Sequence, residues 1–142
     1  MHHELSHETA RALIAPFYDV LTRSSQKNVA AIVSEIAVPE WRSYAGESVS
    51  KGREEFIAQV TGFGRAIPDL VWDVKEVLVS GDRIIVRSEA SGTPAGDLFG
   101  VPHSGRSFKI MTIDIHTVKD GKLVVAHHVE DWASALRQLA GK

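Results

Sequence analysis

A change in the spacing of apolar residues near Leu70 constrains the fold of this chain more than any other feature of its sequence. Before that point, apolar residues recur every three or four positions, which is the period of helices packed on a core. After it, β-branched residues dominate and the period falls to two, as in half-buried strands separated by turns. The predicted helices span residues 10–21, 29–36, 56–63 and 132–140, and the predicted strands span residues 70–79, 83–92, 107–118 and 123–130.

Helices followed by an antiparallel sheet predict an α+β fold. At 142 residues the chain fits one domain, residues 1–142, because two domains of half that size would each bury too little core.

Ser6 and Ser50 are the predicted N-caps of the first and third helices, since a serine hydroxyl accepts a hydrogen bond from a free backbone N–H there. Pro39 is predicted to end the second helix, because proline lacks the N–H that a helix needs.

The last two strands are joined by an Asp-Gly pair at residues 120–121, which favours a two-residue hairpin turn. That turn places Lys119 opposite Lys122 and, counted back without interruption, Asp114 opposite His127. Because side chains alternate between the two faces of a strand, one face collects two carboxylates and two imidazoles. The residues predicted on that face are Thr112, Asp114, His116, His127 and Asp131, whereas His128 and Glu130 are predicted on the other face with Met111, Ile113 and Ile115.

Carboxylates beside imidazoles are suited to general acid–base catalysis. A carboxyl group in a mostly apolar pocket binds its proton more tightly, and an adjacent imidazole can relay or orient that proton. The candidate catalytic residues are Asp131, His116, Asp114 and His127. The alternative is that this polar face meets solvent, which is the common arrangement in antiparallel sheets. Asp131 has a further alternative role, as the N-cap of the last helix.

Five aromatic side chains are candidates for lining a flat, apolar ligand pocket. They are Trp41, Tyr44, Phe63, Trp72 and Phe99. For each ring taken singly, an ordinary place in the core is the favoured alternative, because large aromatic side chains are buried on average.

The composition argues against several classes of function. The formal net charge is −2 and no basic run stands out, so we expect no nucleic-acid partner. The chain has no cysteine and no His-x-His pair, and its glycine-rich stretch at residues 92–105 lacks the lysine spacing of a phosphate loop. We therefore expect neither a metal nor a cofactor. No segment reaches the roughly 20 apolar residues of a membrane span, so a cytoplasmic location is predicted.

Several short motifs occur in order along the second half of the chain. They are Ala66-Ile67-Pro68-Asp69-Leu70, Gly81-Asp82-Arg83, Gly92-Thr93, Gly96, Phe99-Gly100-Val101-Pro102, Gly105-Arg106, Ile113-Asp114-Ile115-His116, Asp120-Gly121-Lys122, Asp131 and Leu136-Arg137-Gln138-Leu139. Together they resemble the SnoaL-like polyketide cyclase (ester cyclase) family, within the nuclear-transport-factor-2-like superfamily. The helical part of the chain agrees with that family in general pattern.

This resemblance implies a cone-shaped, curved antiparallel or mixed sheet, with N-terminal helices on its concave face, a short C-terminal helix and a deep pocket. Enzymes of the family close a ring in an aromatic polyketide ester by aldol condensation, without metal or nucleotide. The resemblance implies that Asp131 is the acid–base group. Its implied partners are His116, Asp114 and His127.

A hydrophobic small-molecule ligand and a homodimer are also expected from the resemblance. Two positions depart from the family pattern, since Pro94 stands where a histidine is frequent and His127 where a tryptophan is frequent. A noncatalytic binder of small molecules and a related isomerase are the alternative functions, because one fold serves many functions.

Overall fold

The structure, a computed structural model, describes residues 5–142. Three helices and two strands come first along the chain, and the four longest strands follow. The helices are α1 (His7–Leu21), α2 (Val29–Ile36), α3 (Arg53–Ala66) and α4 (Trp132–Leu139), with a short 3-10 turn at Ser24–Gln26. The strands are β1 (Ala37–Tyr44), β2 (Ser50–Gly52), β3 (Val71–Ser80), β4 (Arg83–Gly92), β5 (Phe108–Lys119) and β6 (Lys122–Glu130).

Within residues 5–142, the six strands form one open, mixed sheet in the order β2-β1-β6-β5-β4-β3. Neighbouring strands are antiparallel except for β1 and β6, which run parallel. The predicted α+β class is confirmed. Strands β5 and β6 occupy the middle of the sheet, so the side chains of this hairpin lie between other strands on both sides.

Polar side chains cap the first two helices. The predicted N-cap Ser6 is confirmed, because its Oγ accepts a hydrogen bond from the backbone N–H of Thr9 at 3.0 Å. Asn28 caps α2 in the same way, with Oδ1 accepting from the N–H of Ala31 at 3.1 Å.

No helix among the described residues, 5–142, is both long and apolar enough to span a membrane.

Two predicted helix boundaries are wrong, and both lie next to β1. Ser50 belongs to β2, where its hydroxyl accepts a hydrogen bond from Arg42 Nε at 2.9 Å. Helix α3 instead begins after Gly52, whose backbone N–H donates to Glu55 Oε1 at 3.1 Å. Pro39 lies inside β1, in the stretch where pairing with β6 is interrupted, and a residue without an N–H is tolerated there.

The helices cover one face of the sheet, and an aromatic cluster fills the space between them. Phe17 on α1 stacks on Phe56 on α3 with ring centroids 5.4 Å apart, and Trp41 on β1 lies 4.9 Å from Phe56. Burying one large apolar side chain contributes about 1.5–3 kcal/mol, so this cluster holds α1 and α3 on the sheet. Gly64 allows α3 to approach the 3-10 turn, because a Cβ there would lie 2.8 Å from Ser25 N.

The turn between β5 and β6 has the predicted form. Asp120 and Gly121 have φ angles of 52° and 75°, and positive φ at both central residues is what a type I′ turn requires. Lys119 pairs with Lys122, as the Asp-Gly turn predicts.

A β-bulge just beyond the turn changes the facing of every later residue in β6. The pairing shifts between Val118 and Thr117, so that β6 contributes one extra residue there. Asp114 therefore lies opposite His128, one position further along than an uninterrupted register predicts. The prediction that His127 shares a face with Asp114 is wrong, because a slip of one residue turns a strand's side chains to the opposite face.

Candidate active site

Polar side chains occupy the middle of the sheet face that the helices cover. On β5, Thr112, Asp114 and His116 are 0%, 5% and 0% exposed. On β6, His128 and Glu130 lie on the same face, because they pair directly with Asp114 and Thr112. A buried polar group is unfavourable unless it is hydrogen-bonded, so each of these side chains needs a partner inside the protein.

Tyr18 joins Asp114 and His116 through its hydroxyl group. It lies on the buried face of α1, and its hydroxyl donates to Asp114 Oδ2 at 2.6 Å. The same oxygen lies 2.8 Å from Nε2 of His116. The rings of Tyr18 and His116 also meet edge to face, with centroids 5.8 Å apart. One phenol therefore connects the carboxyl group to the imidazole.

Burial changes the proton affinity of all three groups. It raises the pKa of Asp114 from 3.8 to about 7, against the opposing hydrogen bond from Tyr18 and with a further increase from the charge of Glu130. Burial lowers the pKa of His116 from 6.5 to about 3, with His128 adding to the decrease. The pKa of Tyr18 is raised well above 10, first by burial and then by Asp114. At neutral pH, the histidine and the phenol are uncharged and the carboxyl group is divided between its two forms.

The uncharged state of His116 sets the direction of these hydrogen bonds. A neutral imidazole carries one N–H, and Nδ1 of His116 is buried without a hydrogen-bond partner. We assign the proton to Nε2, which then donates to the oxygen of Tyr18 and leaves the hydroxyl hydrogen of Tyr18 for Asp114. In this arrangement every donor hydrogen of the trio has an acceptor.

Ser43, His128 and Glu130 form a second polar cluster beside the first. Ser43 Oγ on β1 lies 2.7 Å from Nδ1 of His128. On the other side of the ring, Nε2 of His128 lies 3.5 Å from Oε2 of Glu130. Trp132, the first residue of α4, donates its indole N–H to Glu130 Oε1 at 3.3 Å. The parallel pairing of β1 with β6 brings the hydroxyl to the imidazole.

Both clusters border one cleft between α1, α3 and the sheet, which has a free volume of about 40 Å³. Tyr18 and His116 lie behind Asp114 and are not part of its lining. The sheet supplies the polar groups of Ser43, Asp114, His128 and Glu130, and α3 supplies Gln59. Much of the remaining wall is apolar, with Phe17, Leu21, Phe56, Val60, Phe63 and Trp72. A mostly apolar cleft with a few converging polar groups is typical of a small-molecule site. Among residues 5–142, no three His, Asp or Glu side chains are grouped so that they could hold a metal ion.

Asp131 caps the last helix and does not line the cleft. Its Oδ1 accepts from the backbone N–H of Ser134 at 3.1 Å, and its Oδ2 accepts from the Ser134 hydroxyl at 2.6 Å. These hydrogen bonds lower the pKa of Asp131, which is exposed to solvent. The predicted placement of Asp131 beside Asp114 and His116 is therefore wrong, and its alternative role as an N-cap is confirmed.

His127 lies on the open face of the sheet. It pairs with Ile115, and its ring stacks on Tyr44 with centroids 5.2 Å apart. The bulge in β6 is the reason, since it directs His127 outward and His128 inward. Of the four candidate catalytic residues, the structure brings together Asp114 and His116.

The five aromatic candidates divide among four environments. Phe63 and Trp72 line the cleft, and the indole N–H of Trp72 donates to Thr112 Oγ1 at 3.1 Å. Trp41 is buried in the core instead, and Tyr44 faces outward with His127. Phe99 is more than half exposed, although its ring lies 6.3 Å from that of Phe63. The predicted flat pocket made by all five rings is therefore wrong.

Four residues of the site were not identified from the sequence. They are Tyr18, Ser43, His128 and Glu130. Tyr18 carried a usable signal, because it follows Ile14 by four residues in the buried stripe of α1. His128 and Glu130 were assigned to the wrong face by the uninterrupted register.

The chain matches the family of SnoaL-like polyketide cyclases over residues 12–139. No curated protein sequence matches it significantly. Among solved structures, TsrD from Streptomyces laurentii superimposes with a TM-score of 0.82 at 25% identity, covering 98% of this chain and 100% of TsrD. A protein from Jannaschia sp. CCS1, provisionally described as a SnoaL-like polyketide cyclase, gives 0.82 at 21% identity and covers 99% of both chains. A SnoaL-like polyketide cyclase from Agrobacterium tumefaciens C58 gives 0.73 at 16% identity, covering 92% of this chain and 97% of that one.

Helices that cover one face of an open mixed sheet, with a cleft between, define an α+β protein consistent with the nuclear-transport-factor-2-like superfamily. Because the family match extends over most of the sequence, the chain belongs to the SnoaL-like polyketide cyclase family.

Proposed function

We propose that this protein is a cofactor-independent acid–base enzyme that closes a carbon ring in a hydrophobic, carbonyl-containing small molecule by an aldol-type reaction. The observation that carries the proposal is a buried carboxyl group, Asp114, in an apolar cleft, with a pKa of about 7. A group whose pKa lies near the working pH serves well both as a base and as an acid. Membership of the SnoaL-like polyketide cyclase family supports the same chemistry.

In the proposed reaction, the carboxylate of Asp114 removes a proton from a carbon next to a carbonyl group. The resulting enolate attacks a second carbonyl carbon of the same molecule, and Asp114 returns its proton to the new alkoxide. A C–H between two carbonyls is already acidic because its enolate is delocalised, so this step requires no metal or nucleotide. The cleft contributes by holding the two reacting carbons near each other and by keeping the carboxylate poorly hydrated.

Tyr18 and His116 act as positioning residues in this proposal. The hydroxyl of Tyr18 fixes one oxygen of Asp114, whose side chain lines the cleft. His116 in turn orients that hydroxyl from 2.8 Å away. Because His116 stays uncharged, it does not pull the pKa of Asp114 down as an imidazolium would.

The test compares two Asp-to-Asn variants that differ in location. The substrate is an aromatic methyl ester with a β-diketone side chain, and ring closure is followed by chromatography. Asp114→Asn should lower the rate by about 10²-fold or more, because Asn cannot exchange a proton. Asp131→Asn is the matched control and should retain the rate. Full activity in Asp114→Asn would contradict the proposal, and binding without turnover by the wild type would favour the noncatalytic alternative.

The proposal includes a homodimer formed through the open face of the sheet. Ile113 on β5 pairs directly with Val129 on β6, and both are exposed on that face, Val129 to 71%. Met111 and Ile115 flank Ile113 on the same face of β5 and are also exposed. A contiguous exposed apolar strip marks an interaction surface. A second copy of the chain would cover it symmetrically, since a two-fold dimer uses the same patch twice.

A further inference from the structure

His128 is the direct cross-strand neighbour of Asp114 on the covered face of the sheet. In antiparallel strands, the Cβ atoms of such a pair lie about 4.5–5.5 Å apart. Both side chains line the same cleft. An imidazole and a carboxyl group can therefore act on neighbouring atoms of one bound molecule. The reaction assigned above to Asp114 gives this imidazole no role.

The imidazole of His128 is held from both sides. Ser43 Oγ lies 2.7 Å from Nδ1, which fixes the plane of the ring. Glu130 Oε2 lies 3.5 Å from Nε2 on the other side of the ring. Glu130 is itself fixed by the indole N–H of Trp132. These contacts hold the ring of His128 in one orientation at the wall of the cleft.

Apart from Gln59 on α3, the polar groups of the cleft lie together along one strip of the sheet, formed by Ser43, Asp114, His128 and Glu130. The opposite wall comes from α1 and α3 and is largely apolar, with the rings of Phe17 and Phe56. A ligand that matches this distribution is an apolar ring system with one oxygen-bearing edge. That oxygen and the carbon beside it would lie against the polar strip.

We propose that His128 is a second catalytic residue, which donates a proton to the carbonyl oxygen while Asp114 removes the proton from the adjacent carbon. The inference rests on the proposed function, and it names the substrate class as apolar aromatic ketones with at least one hydrogen on the carbon next to the carbonyl. Ser43 and Glu130 are positioning residues for His128.

The proton transfers balance within the site. The carboxylate of Asp114 takes the proton from carbon, and the electron pair of that C–H bond becomes the new C=C bond. The π electrons of the C=O bond move to oxygen, which takes a proton from the His128 imidazolium. The products are a neutral enol, a protonated Asp114 and a neutral His128. In D₂O, the proton on Asp114 exchanges with solvent, and reversal of the step then places deuterium on the carbon.

Deuterium exchange into 2-tetralone tests this step without knowledge of the natural substrate. The probe is incubated with the full-length protein in D₂O buffer near neutral pD, and loss of its α-proton signals is followed by ¹H NMR. The wild type should accelerate the exchange, and Asp114→Asn should abolish the acceleration. His128→Gln should reduce it by about 10²-fold or more, since a general acid typically contributes that much.

His127→Gln is the matched control, because it removes the adjacent imidazole from the opposite face of the same strand. It should leave exchange within about twofold of the wild type. If His128→Gln also stays within about twofold while Asp114→Asn is inactive, the role of His128 is refuted and the function of Asp114 stands. A wild type that gives no acceleration refutes the acid–base function itself. Thermal melts of all variants show whether a loss of exchange reflects unfolding.

A binding measurement provides a readout apart from turnover. 2-Naphthol has the shape and the oxygen of the enol of 2-tetralone, and naphthalene lacks the oxygen. The wild type should bind 2-naphthol about tenfold more tightly than naphthalene, because each hydrogen bond to a charged donor contributes that order of affinity. His128→Gln should remove most of this preference, and His127→Gln should keep it. Equal preference in the wild type and in His128→Gln would overturn the proposed contact.

Discussion

On the covered face of the β5–β6 hairpin, Asp114 and His116 are buried and His128 is partly buried, whereas on the open face Ile113 and Val129 are exposed. Antiparallel sheets with one solvated face usually show the reverse distribution, with apolar residues inside and polar residues outside. Here the helices cover a polar strip together with apolar rings, and the apolar strip has no cover from the helices. The two faces of the hairpin therefore correspond to the two parts of the proposed function, an acid–base cleft on one face and a dimer surface on the other.

The largest expected effect is on the pH dependence of folding stability, through the charge of Asp114 on the covered face. The folded pKa of Asp114, about 7, lies above its unfolded value near 3.8, so the protonated group favours the folded state. Its contribution is fully present below about pH 4 and is lost as the pH rises through about 7. Between pH 4 and pH 8, Asp114→Asn should therefore become more stable relative to the wild type, by on the order of 4 kcal/mol at most.

Urea unfolding of both proteins at several pH values measures this difference. The buried His116 acts in the opposite direction, since its lowered pKa of about 3 removes stability as the pH falls below 6.5. It is present in both proteins, so its effect cancels when the two curves are subtracted. A difference that is flat from pH 4 to pH 8 would show that Asp114 is not buried as a high-affinity proton acceptor.

Substitutions on the open face should weaken the association of two copies and leave the acid–base chemistry intact. Ile113→Lys and Val129→Lys place charges where the proposed dimer buries an apolar strip, and desolvating an unpaired charge is strongly unfavourable. Sedimentation should show dimers for the wild type and weakened association, by about 10²-fold or more, for the double variant. Deuterium exchange into the probe ketone should persist in the monomer. A wild-type protein that is monomeric at high concentration would contradict the proposed dimer.

A smaller effect should follow from removing the hydrogen bond between Tyr18 and Asp114 on the covered face. Tyr18→Phe removes the hydroxyl that donates to Asp114 at 2.6 Å, and that hydrogen bond lowers the pKa of Asp114. Without it the pKa should rise, so the pH at which activity reaches half its maximum should move upward from about 7. At neutral pH the rate should fall about tenfold, because less carboxylate is present. An unchanged pH profile with a lowered rate would mean that Tyr18 only packs against the site.

The fold, and the grouping of two of the four candidate catalytic residues on one buried face, could be predicted from the sequence. The period change and the Asp-Gly turn are local signals, and they gave the α+β class and the pairing of Lys119 with Lys122. Asp114 and His116 were assigned to the same face correctly because they alternate along β5, and the extra residue of the bulge lies in β6. No glycine marks that bulge. The one sign of it in the sequence is the run Leu123-Val124-Val125-Ala126, in which apolar residues do not alternate with polar ones. The contact of Tyr18 with Asp114 joins residues 96 positions apart, which no local pattern reveals.

The smallest expected effect concerns Asp131, which lies on neither face and ends the hairpin. Its carboxylate accepts two hydrogen bonds from Ser134, and the backbone one satisfies an N–H at the start of α4. Asn offers the same acceptor, so Asp131→Asn should keep both stability and catalytic rate, whereas Asp131→Ala should lower the melting temperature slightly with the rate unchanged. Calorimetry and the ketone exchange measurement, run on the same samples, separate the two properties. Loss of turnover in Asp131→Asn without loss of stability would return the acid–base role to Asp131, and it would require the cleft to reach a carboxylate that the structure places in solvent beside Ser134.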